Sequence, residues 1–565
     1  MPRSTRVFVL VVLVLLLAHC SRFERPSNDQ IKEAIQKQIA LKKAPDYVTE
    51  GVKHSPRVWK MLQRFYKNHE YKPVWTGENR LSIEDLVAAL CRADEHGLDP
   101  GNYHLRAIRR LNQAAEEGDG EKRAEATAQV ELAATYAFLT YGSHLRNGYA
   151  RPKWDVNRDP AQVDDVLMAA ANGKPVKEVL TELLPRHAQY QQLVKVLQQY
   201  REIVNRGGWG SLNAESKPEE LVARLIEEND IKPAGRGQSV SSEEILAGLV
   251  HFQRRHGLKD TGKLDPTTLS ALNAPASARV RQIEINLERW RWLPQDLGSR
   301  YILVNVPAFE LRGFEDGHMV LRMPVVVGQE YKPTPLFSDR MTYIVLNPSW
   351  NVPETIAKEE VLPRLLTDPD YLTRNEMEVV DRIAKEVVDP SSIEWTSVDP
   401  ESFEYRFRQK PGDGNSLGRI KFMFPNQFDV YLHDTPAEKL FEQTRRDFSH
   451  GCVRVSRPVD LAEWVLKGST EWPREKLEAE ITGKIEEPDG DAANEAASEE
   501  QNPEKTVKLP SPLPVYILYW TVWVEEDGSV AFRDDVYDED KKLLRALPAQ
   551  VARAGESKQA CDLAE

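Results

Sequence analysis

One cysteine and one histidine within residues 430–455 have the side chains that acyl transfer requires. Cys452 lies in the sequence S-H-G-C-V-R at 449–454, and His433 ends an alternating apolar run that predicts a strand. A thiol becomes a strong nucleophile when a neighbouring base takes its proton, so this pair suffices if the fold brings it together. Gly451 lets the backbone approach closely, which would point nearby amides at a developing oxyanion. An isolated cysteine, by contrast, is usually a small buried apolar residue.

The surrounding pattern is more specific than the two residues alone. H-D-T-P at 433–436, a helical spacer and S-H-G-C-V-R at 449–454 closely resemble the signature of the YkuD family of L,D-transpeptidases, which cross-link peptidoglycan. The resemblance implies that Cys452 is the nucleophile and His433 the general base. It also implies supporting roles: oxyanion donation by the amides of His450, Gly451 and Cys452, loop shaping by Ser449 and Arg454, and lining of the donor site by Trp350, Asn351 and Tyr431.

The family's reaction consists of two acyl transfers. By resemblance, the Cys452 thiolate attacks the carbonyl of the L-centre of diaminopimelate in a tetrapeptide stem and expels the terminal D-Ala. The thioester then passes to an amine of a second stem and gives a 3→3 cross-link. Acylation by carbapenems and a poor response to most penicillins are also implied. No cofactor is expected, and no metal, because Cys452 must stay free and does not form a closed ligand set with His433 and His450.

The general base needs a group that orients its ring. The family generally uses a backbone carbonyl or a polar neighbour for this purpose. Asp434 is adjacent to His433, but its side chain points to the other face if the strand persists. We therefore assign Asp434 no triad role.

Three alternatives to the cross-linking activity remain open. An L,D-carboxypeptidase would pass the acyl group to water, and a related enzyme would attach a lipoprotein lysine to the wall. A wall-binding scaffold with a degenerate catalytic part would perform no reaction, although no residue of the motif is visibly missing. The acceptor site decides between amine and water, and its shape cannot be derived from the sequence.

Length and charge restrict the class of protein. The chain has 565 residues, which predicts two to four domains. Its 41% hydrophobic and 29% charged residues are typical of a globular protein. The net charge of −13 argues against a nucleic-acid binder. The resemblance implies peptidoglycan stem peptides and glycan as partners, with other cell-wall synthases as further candidates. Wall binding must be local, because the bulk polymer is also anionic.

The first residues predict export. Arg3 and Arg6 precede an apolar run at 7–18, which together indicate a secretory signal over residues 1–20. With export, the resemblance implies a periplasmic location. The run is shorter than the ~20 residues of a spanning helix. L-A-H-C, ending at Cys20, resembles a lipoprotein box, in which Cys20 is lipidated. Ordinary cleavage and an uncleaved anchor are the alternatives.

The remaining cysteines lie apart in the sequence. Cys91 falls in a helical pattern and Cys561 in the polar tail, while Cys452 is needed as a free thiol. An exported protein with four cysteines can form disulfides. We predict no structural disulfide that involves Cys452.

The pattern predicts a multidomain α+β protein. Residues 27–235 have helical periodicity and, at Y-K-P-V-W (71–75), resemble the scaffold region of large Gram-negative L,D-transpeptidases, with the aromatics packed in the core. Residues 239–275 begin with a capping box and resemble a small helical peptidoglycan-binding domain, as binder or as spacer. Residues 280–540 predict a mostly-β catalytic domain.

Three segments interrupt or follow this catalytic domain. Residues 354–414 predict an inserted helical subdomain that caps the cleft, with an inert surface elaboration as the alternative. Residues 485–505 are acidic and predict a disordered loop. Residues 515–524 predict one buried strand, followed by a hairpin that completes the catalytic sheet. Residues 548–565 predict a mobile tail.

Overall fold

The computed structural model describes residues 26–49, 55–76, 81–117, 120–150, 163–233, 239–483, 503–547 and 561. The predicted signal with Cys20 lies outside these residues, as do most of the acidic segment and all of the tail except Cys561. Within the described ranges, no helix has both the length and the apolar character needed to cross a membrane.

The N-terminal region is helical, as predicted. The long helix Gly120–Asn147 runs through its centre, and the neighbouring helices pack around it. Trp75 is 1% exposed and belongs to this core, which confirms its predicted packing role. The α-helices of the region are Asn28–Ile39, Asp46–Thr49, Pro56–Asn68, Ile83–Cys91, Leu105–Glu117, Gly120–Asn147, Val163–Ala171, Val176–Thr181 and Ala188–Asn205.

A buried carboxylate and a disulfide fix two parts of this region. Glu131 on the central helix is fully buried and accepts hydrogen bonds from the amides of Val74 and Trp75 at 3.0 and 2.8 Å. This carboxylate therefore holds the loop that carries the tryptophan. Cys91 and Cys561 form a disulfide across 470 residues of sequence, so the end of the chain is attached to the helical region.

A small helical unit follows, with helices Pro218–Glu227, Ser242–Arg255 and Pro266–Leu272 around their own apolar cluster. The predicted capping box is present, since Ser241 caps the second helix. The cluster begins at Leu212, upstream of the predicted boundary at residue 239, because the first helix supplies part of the core. Helix Ala276–Trp290 then packs against Ala188–Asn205 and leads into the sheet.

The C-terminal region is built on a sheet that is nine-stranded within the described residues. The strands of the region are β1 Arg300–Asn305, β2 Glu310–Glu315, β3 His318–Gly328, β4 Phe337–Leu346, β5 Trp350–Asn351, β6 Met377–Asp381, β7 Val387–Val388, β8 Tyr405–Gln409, β9 Ile420–Met423, β10 Leu432–His433, β11 Asp447–Ser449, β12 Val453–Val455, β13 Lys505–Leu518, β14 Val522–Val524 and β15 Val530–Phe532. The order in the nine-stranded sheet is β11-β3-β12-β10-β9-β4-β13-β1-β2, and an additional β2–β3 pairing closes this sheet. The mostly-β prediction is therefore confirmed.

Two details of the predicted sheet are wrong. The stretch 515–524 is divided into β13 and β14, and among the described strands β14 pairs only with β15, in a separate two-stranded sheet. β13 begins at Lys505, the last residue of the predicted acidic loop, and pairs with β4 and β1. The helices of this region are Pro458–Val465, Arg474–Thr482 and Glu539–Ala546.

The segment 354–414 is mixed rather than helical. It begins with the short helices Glu354–Ile356, Ala357–Val361, Leu362–Leu365 and Tyr371–Arg374. Strands β6, β7 and β8 follow and form a second sheet with β5, in the order β5-β8-β6-β7. This unit has its own apolar cluster, so its short strands are stabilised by local packing and not by the main sheet.

Candidate active site

Three adjacent strands bring the predicted pair to one cavity. On β10, His433 lies opposite Lys421 of β9 and opposite Arg454 of β12. Cys452 comes directly before β12, so the start of this strand fixes the end of the loop that carries the thiol. His433, Cys452 and both cations line a cavity of about 610 Å³, a volume in the usual range of ligand sites.

The His433 ring is held by the backbone. Its side chain is buried, and Nδ1 donates to the carbonyl of Asp434 at 2.5 Å. A carbonyl only accepts hydrogen bonds, so Nδ1 carries the proton and Nε2 keeps its lone pair. Burial, together with the charges of Arg454 and Lys421, lowers the pKa of His433 to about 3. The imidazole is therefore neutral and can accept a proton at Nε2.

The carboxylate beside this histidine serves a different purpose. Asp434 Oδ2 accepts from the amide of Arg419 at 2.7 Å, and Oδ1 accepts from the amide of Thr435 at 2.7 Å. Burial raises the pKa of Asp434, and these two hydrogen bonds partly oppose the shift. The ring of His433 is thus oriented by a carbonyl, and the Asp434 side chain organises the turn.

Cys452 is a free thiol in a partly buried position. Its Sγ lies 3.9 Å from the carbonyl oxygen of Asp429, which accepts the weak hydrogen bond of the thiol. Burial raises the pKa of Cys452, while Tyr431 and the cations Lys421 and Arg454 act in the opposite direction. The resting site therefore pairs a neutral thiol with a neutral imidazole, and the thiol proton must move during the attack.

The loop that carries the thiol is tied to itself. Gly451 has φ +120°, in the left-handed region that favours glycine. Its amide donates to Ser449 Oγ at 3.2 Å, and that hydroxyl donates to the Cys452 carbonyl at 2.6 Å. The amide of Gly451 is thus occupied, which differs from the predicted set of three oxyanion donors. Among the described residues, the amides of His450 and Cys452 have no acceptor and stay available.

Two residues that the sequence did not indicate hold this loop from behind. Thr334 Oγ1 donates to the Gly451 carbonyl at 2.8 Å and accepts from the Gly328 amide at 2.8 Å. The hydroxyl of Tyr537 accepts from the Thr334 amide at 3.3 Å and donates to the Gly328 carbonyl. Neither residue is close in sequence to the cysteine motif, so only the fold reveals them.

The inserted unit forms one wall of the cavity. His450 Nε2 contacts the carboxylate of Glu360, and Lys332 pairs with Glu359 on the same helical turn. Two contacts therefore join the insertion to the catalytic sheet at the cysteine loop. The insertion also contributes lining side chains, namely Thr355, Ile356, Glu360, Val361, Tyr371, Asn375 and Met377.

The remaining predicted site residues can now be placed. Trp350 and Asn351 lie on β5 at the cavity, and Tyr431 stacks edge-on against His433 with ring centroids 5.7 Å apart. Gly451 of the cysteine loop is buried and does not line the cavity. Cys20 is outside the described residues, within which no group of three or more His, Cys, Asp or Glu side chains is arranged to hold a metal ion.

Two parts of the chain match known protein families. Residues 299–508 match the family model of the YkuD L,D-transpeptidase catalytic domain, and residues 60–197 match that of the scaffold domain. A curated relative from Haemophilus influenzae, named "Putative L,D-transpeptidase", is 33% identical over 266 residues. That alignment covers 47% of this chain and 49% of the relative, so the chain spans about half the relative's length.

Two solved structures match this chain at low sequence identity. An L,D-transpeptidase from Mycobacterium smegmatis is 14% identical, with a TM-score of 0.17 over 39% of this chain and 58% of that chain. L,D-transpeptidase 1 from Mycobacterium tuberculosis is 11% identical, with a TM-score of 0.15 over 39% of this chain and 61% of that chain.

Proposed function

We propose that this chain, which contains a YkuD L,D-transpeptidase catalytic domain at residues 299–508, forms 3→3 cross-links in peptidoglycan. The observation that carries the proposal is the arrangement of Cys452 and His433. A free thiol and a neutral imidazole share one cavity, and the imidazole has its proton on Nδ1 and its lone pair on Nε2. Those are the states that a nucleophile and its general base require.

The first half-reaction makes a thioester. Cys452 Sγ attacks the carbonyl carbon of the L-centre of diaminopimelate, and the thiol proton passes to Nε2 of His433. The oxyanion that forms is stabilised by the amides of His450 and Cys452. The carbon–nitrogen bond to the terminal D-Ala then breaks, and the imidazolium returns its proton to the departing amine.

The second half-reaction transfers the acyl group. The amine of a second stem attacks the thioester, neutral His433 takes a proton from that amine, and the thiolate of Cys452 leaves. The thiolate then recovers the proton from His433. The result is a peptide bond between two stems and a regenerated thiol.

An amine rather than water should be the acceptor when the cleft is shielded. The insertion at 354–414 supports this choice, since its Glu360 contacts His450 and its side chains form one cavity wall. We therefore propose that the insertion is a cap that excludes water from the thioester. An L,D-carboxypeptidase is the second candidate, because the same cysteine site would serve both reactions.

The other expectations belong to the same proposal. The reaction places the enzyme in the periplasm, where its substrates are stem peptides and glycan, and implies acylation by carbapenems. The unit around helices Ser242–Arg255 and Pro266–Leu272 would bind glycan or space the domains. Lipidation at Cys20 and attachment of a lipoprotein lysine to the wall are separate hypotheses.

Product analysis tests the proposal. The full chain is incubated with disaccharide-tetrapeptide, and released D-Ala and product masses are measured for wild type, Cys452→Ala and His433→Ala. His318→Ala, at an exposed histidine on β3, is the matched control. We expect D-Ala and a cross-linked dimer from wild type and the control only. Tripeptide without dimer would indicate the carboxypeptidase, and folded wild type without D-Ala release would leave a wall-binding scaffold.

A further inference from the structure

Two cations flank the general base on the cavity floor. Residues directly opposite each other on adjacent strands project from the same face of a sheet. The register sets Lys421 of β9 beside His433 of β10, and Arg454 of β12 on its other side. Cys452 is two residues before Arg454, and all four side chains line one cavity. The floor is therefore a row of cation, imidazole and cation next to the nucleophile.

Neither cation is neutralised within the described residues. No carboxylate there forms an ion pair with Lys421 or Arg454, and Arg454 Nε is buried without a hydrogen-bond acceptor. The Lys421 ammonium lies 3.9 Å from the centre of the Tyr431 ring. Burial lowers the pKa of both cations. Charges kept in such surroundings without an anion are unfavourable, so the floor is incomplete as it stands.

The described carboxylates near this floor form no ion pair with either cation. Glu360 contacts the imidazole of His450. Glu504 lies near enough for its charge to oppose the lowering of the Lys421 pKa, but it forms no ion pair with Lys421, and its carboxylate accepts a hydrogen bond from the Ser349 amide at 2.7 Å. Asp429 has an exposed side chain and faces the thiol through its backbone carbonyl. The anion that would complete the row must therefore come from a ligand.

We infer that Lys421 and Arg454 bind the free terminal carboxylate of the donor stem, and so select stems that end one residue after the scissile bond. This inference rests on the proposed function. The carboxylate carbon of that last residue is three bonds from the scissile carbonyl carbon, at most about 4 Å away. The carbonyl carbon approaches Cys452 Sγ to about 3–3.5 Å before attack. The carboxylate must then lie within the reach of side chains that flank the thiol.

The inference gives the two cations a role in specificity. A stem with one more residue would place a neutral peptide group where its carboxylate should be, and would leave both cations unpaired. A stem whose terminal carboxylate is converted to a carboxamide would do the same without added bulk. Lys421 and Arg454 thus distinguish tetrapeptide donors from longer or capped ones by charge, independently of the acyl transfer.

Binding to an inactive background tests this assignment without relying on turnover. The full chain with Cys452→Ala is titrated by calorimetry with disaccharide-tetrapeptide, with its terminal carboxamide, and with the analogue amidated on the diaminopimelate side chain. The titrations are repeated after adding Lys421→Met, Arg454→Met, or the charge-retaining Arg454→Lys. Lys508→Met, at an exposed lysine of β13, is the matched control.

We expect the terminal carboxamide to bind about tenfold or more weakly than the carboxylate, as loss of a charged hydrogen bond predicts. Each methionine variant should reduce that ratio severalfold, Arg454→Lys should restore part of it, and Lys508→Met should leave it unchanged. The inference would be overturned if the methionine variants left the ratio unchanged, or if wild-type cations bound the carboxylate and carboxamide stems equally. It would also be overturned if neither stem bound, or if only the diaminopimelate side-chain carboxylate affected binding.

A second measurement distinguishes carboxylate binding by the two cations from simple activation of the thiol. In the wild-type background, alkylation by iodoacetamide, which carries no carboxylate, reports the reactivity of Cys452. Slower alkylation in Lys421→Met with an unchanged carboxylate preference would show that the cations act on the thiolate alone, and would overturn the inference. Carboxylate selectivity without D-Ala release from wild type would uphold it while refuting the proposed function.

Discussion

Replacing Thr334 by valine should loosen the cysteine loop from behind. Thr334 is 1% exposed, and its hydroxyl satisfies the Gly451 carbonyl and the Gly328 amide, each at 2.8 Å. Valine keeps the shape of threonine but leaves both backbone groups unpaired in a buried position. An unsatisfied buried polar group costs about 1–3 kcal/mol, so the two together should cost about 2–6 kcal/mol of local stability.

Hydrogen exchange measures this loss where it occurs. If local opening governs exchange, a loss of about 2–6 kcal/mol should speed exchange of the Gly328 amide by roughly 30-fold or more. The rate of acylation should fall as well, because Gly451 carries the thiol loop. Thr334→Ser is the control, since it keeps the hydroxyl and loses only a methyl group. Equal exchange rates in the valine and serine variants would refute the reasoning.

Three further predictions concern the base, the loop and the disulfide. As pH falls from 6.5 to about 4, kcat/KM should stay constant, because burial lowers the pKa of His433 to about 3. The free energy of unfolding should fall over the same range, because the unfolded chain takes up a proton that the folded chain does not bind. A loss of kcat/KM with an apparent pKa near 6.5 would contradict this. Gly451→Ala should slow acylation by about tenfold and lower stability by about 1–3 kcal/mol, because alanine is strained at φ +120°. The added Cβ itself causes no clash, since its nearest neighbour is the Pro333 carbonyl oxygen at 3.9 Å. An acylation rate and a thermal midpoint equal to those of wild type would contradict this. Serine at both Cys91 and Cys561 should lower stability by about 2–4 kcal/mol in calorimetry without slowing acylation; an unchanged midpoint would exclude a stabilising bridge.

Local sequence was sufficient for the central part of the site. The placement of His433 at a strand end and of Cys452 in a glycine loop follows from short-range patterns, and the structure brings both residues to one cavity. The carbonyl that orients the ring belongs to the adjacent Asp434, so it too was within reach of a local argument. Motif residues interact with their sequence neighbours, which is why the sequence reveals them.

Contacts between distant segments could not be derived in this way. Lys421 reaches the site because β9 pairs with β10, and Thr334 and Tyr537 meet behind the loop only when the sheet closes. The bond between Cys91 and Cys561 spans nearly the whole chain. A single sequence contains no register or pairing information over such separations, so these residues were missed.

The inserted segment shows how short strands escape periodicity. Residues 354–414 are polar and begin with helical turns, which led to a helical prediction. The strands Met377–Asp381 and Tyr405–Gln409 are only five residues each, too short for alternation to stand out against their charged neighbours. Their pairing with each other and with β5 is a tertiary effect.

The mass of the intact protein after reaction with its donor tests the central claim most directly. The full chain and its Cys452→Ala variant are incubated with disaccharide-tetrapeptide, and separately with a carbapenem, and each adduct is mapped by peptide digestion. The account predicts a wild-type adduct equal to the stem without its terminal D-Ala, located on Cys452 and absent from the variant. A folded wild type that forms no adduct, while iodoacetamide still alkylates Cys452, would contradict it.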